Sequence, residues 1–106
     1  MVRRGDVWLA VLDPTVGAEI KKTRPCLIIS PPEIHDQLRT VIAAPMTSGS
    51  RPAGFRIPVH FRGTRGFILL EQSRVLDKRR LVRKLGTVPD RVLSLVLKTL
   101  REFYEE

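Results

Sequence analysis

The segment Asp13–Pro25 gathers the residue types that do chemistry on phosphates. It carries a carboxylate at Glu19, ammonium groups at Lys21 and Lys22, and a guanidinium at Arg24. Pro14 and Gly17 punctuate it as a loop, and Arg24 stands where the chain enters an apolar run. A mobile basic loop that ends in a firmly held arginine is suited to receive and grip a phosphate. The guanidinium is a planar fork that matches phosphoryl oxygens. The plainer alternative for Arg24 is a surface ion pair with Glu19. No His/Cys/Asp cluster has metal-ligand spacing, so neither a metal nor a cofactor is expected.

Two short strands are predicted to hold this segment. Asp6–Leu12 precedes it and Pro25–Ser30 follows it, and both are apolar, rich in β-branched residues and bounded by turn formers. Pro31–Arg39 is polar with two prolines and is predicted as loop. Thr40–Pro45 is a third strand, and Met46–Gly54 is turn-rich. Phe55–Phe61 alternates apolar and polar residues, the pattern of a half-exposed strand, and Pro58 places it at an edge. Gly63 and Gly66 bracket a turn, and Phe67–Leu76 reads as one strand. Asp77 caps a single helical turn through Leu81, and Lys84–Val88 forms a short last strand. Pro89–Tyr104 is the clear helix, with Val92, Leu93, Val96, Leu97, Leu100, Phe103 and Tyr104 on one face. The sum is one α+β domain over residues 1–106, a small, mostly antiparallel barrel with a C-terminal helix.

Composition narrows the function classes. Hydrophobic residues make up 42% of the chain, enough for one core. No apolar run approaches the roughly 20 residues of a membrane span, and the charged N-terminus is not followed by the apolar core of a signal peptide, so neither a membrane anchor nor a secretory signal is expected. Cys26, the one cysteine, lies in a strand-like run and reads as a small buried hydrophobe, in keeping with a reducing cytoplasm. Nineteen Lys and Arg against eleven Asp and Glu leave a net charge of +8. That excess favours a polyanionic partner.

Several motifs occur in order along the chain: Arg4-Gly5-Asp6-Val7-Trp8, Asp13-Pro14-Thr15-Val16-Gly17-Ala18-Glu19, Lys22-Thr23-Arg24-Pro25-Cys26, Ala44-Pro45-Met46-Thr47-Ser48, Leu70-Glu71-Gln72-Ser73-Arg74 and Asp77-Lys78-Arg79-Arg80-Leu81. Together they resemble the MazF/PemK family of toxin endoribonucleases. Arg4-Gly5-Asp6 also matches a cell-adhesion tripeptide, but here it opens a strand. The resemblance implies an SH3-like antiparallel β-barrel with a C-terminal helix, a homodimer, and metal-independent cutting of single-stranded RNA, commonly messenger RNA. The products would carry 2′,3′-cyclic phosphate and 5′-hydroxyl ends. It also implies a partner antitoxin of the MazE type with an acidic tail that covers the RNA groove. The family's catalytic arginine matches Arg24, its catalytic threonine Thr47 and its loop glutamate Glu19.

Those residue types suit the implied reaction. Attack of a 2′-hydroxyl on the adjacent phosphate requires removal of a proton, stabilisation of a dianionic phosphorane and protonation of the leaving 5′-oxygen. Arg24 and Thr47 supply donors toward the developing charge. Arginine, with a pKa above about 12, is a poor base; Glu19 is the better one if the loop brings it to the hydroxyl. RNA contacts are expected from Lys21, Lys22, Thr23, Ser48, Phe55, Glu71, Gln72 and Arg74, with Phe55 the stacking aromatic. Plainer readings remain open: Thr47 and Ser48 as turn residues, Glu71 paired with Arg74, and Gln72 satisfying buried backbone. Lys78, Arg79, Arg80, Arg83 and Lys84 form either a solvated face or a nucleic-acid surface. His35 and His60 suggest the familiar histidine pair of RNA cleavage, but neither matches a catalytic position of the family. The second function class is a toxin of the same barrel type that grips a protein target such as DNA gyrase, a likeness of fold alone.

Overall fold

The computed structural model describes residues 1–106. Seven antiparallel strands form one sheet: β1 Asp6–Val11, β2 Thr23–Ile28, β3 Thr40–Thr47, β4 Arg56–Phe61, β5 Thr64–Leu69, β6 Arg74–Asp77 and β7 Leu81–Thr87. The order across it is β4-β5-β3-β2-β1-β7, and β6 pairs with β3. The sheet curls into a half-barrel, and helix α2 (Asp90–Phe103) packs against it. A four-residue helix α1, Pro32–His35, interrupts the segment predicted as loop, with Pro32 at its first position, where no N–H is needed.

The elements differ from the sequence pattern at instructive points. Phe67–Leu76 is two strands rather than one. A 3-10 turn at Leu70–Gln72 separates them, closed by Ser73, whose backbone N–H (3.2 Å) and hydroxyl (2.8 Å) both donate to Leu70 O. The break lets the two pieces pair with different parts of one partner: β6 lies along Thr40–Ala43, and β5 lies against Met46 and Thr47. β3 therefore runs to Thr47, two residues beyond Pro45. The hairpin turn is Arg62–Gly63, with φ of 52° and 79°, and Gly66 lies inside β5. β4 is an edge strand, as Pro58 requires. Asp77 caps the 3-10 turn Lys78–Arg80 by accepting the Arg79 N–H.

Strand β2 is covered on both faces. Leu27 belongs to a core of twelve buried residues that includes Val7, Ala44, Ile68 and, from α2, Val92 and Val96. Cys26 and Ile28 face a second core of seven with Ala10, Val41 and Leu76, against which Trp8 packs. On α2 the buried line is Val92, Val96 and Thr99. Leu97 is half-buried, while Phe103 and Tyr104 are exposed, so the apolar stripe fades at the helix C-terminus. Arg4-Gly5-Asp6 is structural. Arg4 Nε donates to Ile29 O at 3.1 Å, and Asp6, 2% exposed, is matched by the Arg3 N–H and by Lys84 Nζ at 3.3 Å.

Candidate functional site

Strand register brings the two central side chains together. β2 and β3 run antiparallel with Cys26 opposite Pro45, and the same register two residues on sets Arg24 opposite Thr47 on one face. Arg24 Nη1 donates to Thr47 Oγ1 at 3.4 Å, and its Nε donates to Lys21 O at 2.9 Å. Two bonds at different atoms fix the plane of the guanidinium. Thr47 Oγ1 also accepts the Gly49 N–H at 3.2 Å. With its lone pairs engaged, the hydroxyl has its own proton left to donate.

The pair opens onto a cleft of about 280 Å³. Arg24, Thr47 and Ser48 form one wall, and the β4–β5 hairpin contributes Arg62, Thr64 and Arg65 to the other. The floor is apolar, with Met46, Phe61 and Phe67, and no carboxylate lines the cleft. An anion entering it meets guanidinium groups beside an apolar floor, with no carboxylate to oppose it.

One glycine sets the depth of the wall. A Cβ added at Gly66 would lie 2.4 Å from Thr47 O and 3.2 Å from Ser48 Cα. The missing side chain is what allows β5 to lie so close to the end of β3.

The other side chains singled out from sequence lie outside that lining. Glu19 is exposed and turned back on its own loop, where its Oε1 accepts the Val16 N–H at 2.7 Å. Lys21 and Lys22 are exposed on the approach to β2, and Thr23 is exposed at its start. Gln72 Oε1 accepts the Ile20 N–H at 2.7 Å, and Arg74 Nη1 donates to Leu12 O at 3.3 Å. With Arg80 bonding Val11 O and Asp13 O, they tie down the base of the β1–β2 loop. Glu71 pairs with Arg56 at 2.7 Å, not with Arg74. The Arg56 guanidinium also sits 5.7 Å from the centroid of the exposed Phe55 ring.

Much of the basic run is spent on structure. Lys78 Nζ donates to His35 O, Arg79 pairs with Asp77, and Lys84 neutralises buried Asp6. The Arg79 guanidinium and backbone N–H hold the Asp77 carboxyl below its ordinary range. His35 is buried, its Nδ1 3.0 Å from the Ser30 hydroxyl, which also accepts the Ile42 N–H. His60 is exposed on β4, so the two histidines form no pair. The Cys26 thiol is pushed up to about 12 by burial, against smaller opposing effects of Arg74 and Arg24. No group of three or more His, Cys, Asp or Glu side chains is arranged to hold a metal ion.

A model of the PemK-like, MazF-like toxins of type II toxin–antitoxin systems matches residues 3–104. The chain belongs to this family. It is 37% identical over 102 residues to Endoribonuclease PemK of Escherichia coli, a match spanning 91% of this chain and 77% of that protein. It is 42% identical over 93 residues to Endoribonuclease MazF of Staphylococcus epidermidis, spanning 80% and 76%. Among solved structures, MazF from Deinococcus radiodurans is similar with a TM-score of 0.86 at 27% identity, over 96% of this chain and 94% of that one. A chain of the MazE–MazF crystal structure from the same organism is similar with a TM-score of 0.71 at 28% identity, over 96% and 94%. The half-barrel with its C-terminal helix is thus the MazF fold.

Within that fold the cleft uses Arg62, Arg65, Phe61 and Phe67, none of which the sequence reading assigned to the site. The signal available was the spacing of two arginines about Gly63 in a hairpin. It was uninformative until β5 was known to pair with the end of β3.

Proposed function

We propose that this chain is the toxin of a type II toxin–antitoxin pair and acts as a sequence-specific endoribonuclease on single-stranded RNA. The observation that carries the reading is the Arg24–Thr47 pair, 3.4 Å apart at the wall of a cleft without carboxylates. Its relatives named endoribonucleases support the class of activity. The scissile phosphate lies against the Arg24 guanidinium, which offsets the charge of the phosphorane. The Thr47 hydroxyl donates to a phosphoryl oxygen. The ribose 2′-hydroxyl attacks the neighbouring phosphorus, the P–O5′ bond breaks, and the products carry 2′,3′-cyclic phosphate and 5′-hydroxyl ends. Arg24 protonates the leaving oxygen, and Glu19 takes the 2′-hydroxyl proton once its carboxylate leaves the Val16 N–H. Lys21, Lys22 and Thr23 meet the strand at the loop, Ser48 meets it in the cleft, and Phe55 stacks a base. Glu71, Gln72 and Arg74 add further RNA contacts beside the loop. The charge stabilisation comes from guanidinium and hydroxyl donors, so the reaction needs no metal.

The partner protein follows from charge. A chain of net charge +8 with a carboxylate-free cleft suits an acidic antitoxin segment of the MazE kind. We assign a homodimer and a cytoplasmic site of action by family likeness.

The test is incubation with a long natural RNA in EDTA, with both ends of each fragment mapped. Discrete cuts bearing cyclic phosphate are expected, with Arg24→Ala and Thr47→Ala each slower by about a hundredfold or more. RNA that stays intact overturns the assignment, and a stalled gyrase in the same preparation would point to the protein-binding class instead.

A further inference from the structure

The cleft does not end at Gly66. A second groove, of about 460 Å³, shares Ser48, Arg65, Gly66 and Phe67 with it and runs on between β4 and the start of α2. Its far end is formed by His60, Pro89 and Arg91. No carboxylate lines this groove either. Arg62, Arg65 and Arg91 are exposed, and none takes part in any of the chain's ion pairs. Their situation contrasts with Arg56 and Arg79, whose charges are met by Glu71 and Asp77. Unneutralised guanidinium groups thus line two adjoining grooves that have Arg65 and Phe67 in common.

We infer that this second groove is a subsite for the RNA strand beyond the scissile bond, with Arg65 and Arg91 holding successive flanking phosphates. The inference rests on the nuclease reading above and extends it. Arg65 stands where the two grooves join, so it takes the phosphate next to the one being cut. Arg91, in the first turn of α2, takes the following one. A single strand is held this way through its backbone, which leaves the bases free to be read elsewhere. The groove therefore sets how much RNA on one side of the cut contributes to affinity, and does not select the cut sequence.

The experiment uses the full-length protein and oligonucleotides built around a cut site mapped on natural RNA. One spans only the cut site; two others are extended by ten nucleotides, one on the 5′ side and one on the 3′ side. In the wild type, one of the two extensions lowers KM. Arg91→Glu is expected to raise KM for that extended RNA, relative to the short one, by about fivefold or more. Arg91→Ala is expected to flatten the slope of log affinity against log salt by about 0.7, the value of one lost single-strand phosphate contact. A merely structural role for Arg91 would move the melting temperature and leave that slope alone. Wild-type protein that cuts RNA, with neither extension affected by Arg91→Glu and the salt slope intact, overturns the subsite. Wild-type protein that cuts nothing overturns the nuclease reading itself.

Discussion

Gly66→Ala tests the geometry of the site through a residue that carries no functional group. The added Cβ would sit 2.4 Å from Thr47 O and 3.0 Å from Thr47 C, both backbone atoms. Real Cβ atoms essentially never approach within 3.0 Å, so β5 and the end of β3 must part by at least about 0.6 Å. No flexible side chain is available to yield. The displacement falls on Thr47 itself, at the last rung of the ladder where Thr47 faces Phe67. Its hydroxyl is already 3.4 Å from Arg24, so little further separation breaks the contact. Misplacement of a reacting group by about 1 Å costs about a hundredfold in rate. Overpacking of this kind costs about 1–3 kcal/mol of stability, which lowers the melting temperature by about 4–8 °C per kcal/mol in a domain of this size. The assay is single-turnover cleavage of a mapped RNA, with the melting temperature measured beside it. Gly54→Ala is the melting control, since nothing lies within 4 Å of a Cβ there. Gly66→Ala protein that cuts at the wild-type rate and melts at the wild-type temperature would refute the claim that this close approach positions Thr47.

Three further outcomes are expected. Arg24→Lys keeps the charge but loses the fork that bonds Lys21 O and Thr47 Oγ1 together, so cleavage falls by about tenfold or more with the fold intact; activity equal to wild type would show that point charge alone suffices. Gln72→Ala leaves the half-buried Ile20 N–H without its acceptor, costs about 1 kcal/mol, and exposes the β1–β2 loop to faster proteolytic nicking, read by mass of the fragments. Cys26 should resist a thiol reagent at pH 8 in the folded protein and react in guanidinium, because burial raises its pKa to about 12. A folded value above the ordinary 9.0 makes the thiol stabilising below pH 9, and that contribution declines as pH rises toward about 12, by up to about 1.4 kcal/mol per pH unit. Denaturant titrations of wild type and Cys26→Ala between pH 8 and 10 measure the difference, and parallel curves would count against it.

The sequence alone determined the local frame and the family. Proline and glycine placement marked the edge strand β4 and the β1–β2 loop, while three- and four-residue spacing marked α2. The order of short motifs named the family, because those residues are the ones that caps, strand starts and the cleft each require. Local pattern could not tell one long strand from two at Phe67–Leu76, since no Pro or Gly marks a break within it and only the partners on β3 distinguish the pieces. Nor could it sort the cations. Lys78, Arg79 and Arg80 look like a binding patch in sequence, but the fold sets them against a carbonyl, a carboxylate and the β1–β2 loop. Arg62, Arg65 and Arg91 are inconspicuous in sequence, yet the fold leaves them lining two adjoining grooves. Which charge is spent and which is left free depends on what stands opposite it in space. That is set by pairings between residues tens of positions apart, which composition and periodicity do not encode.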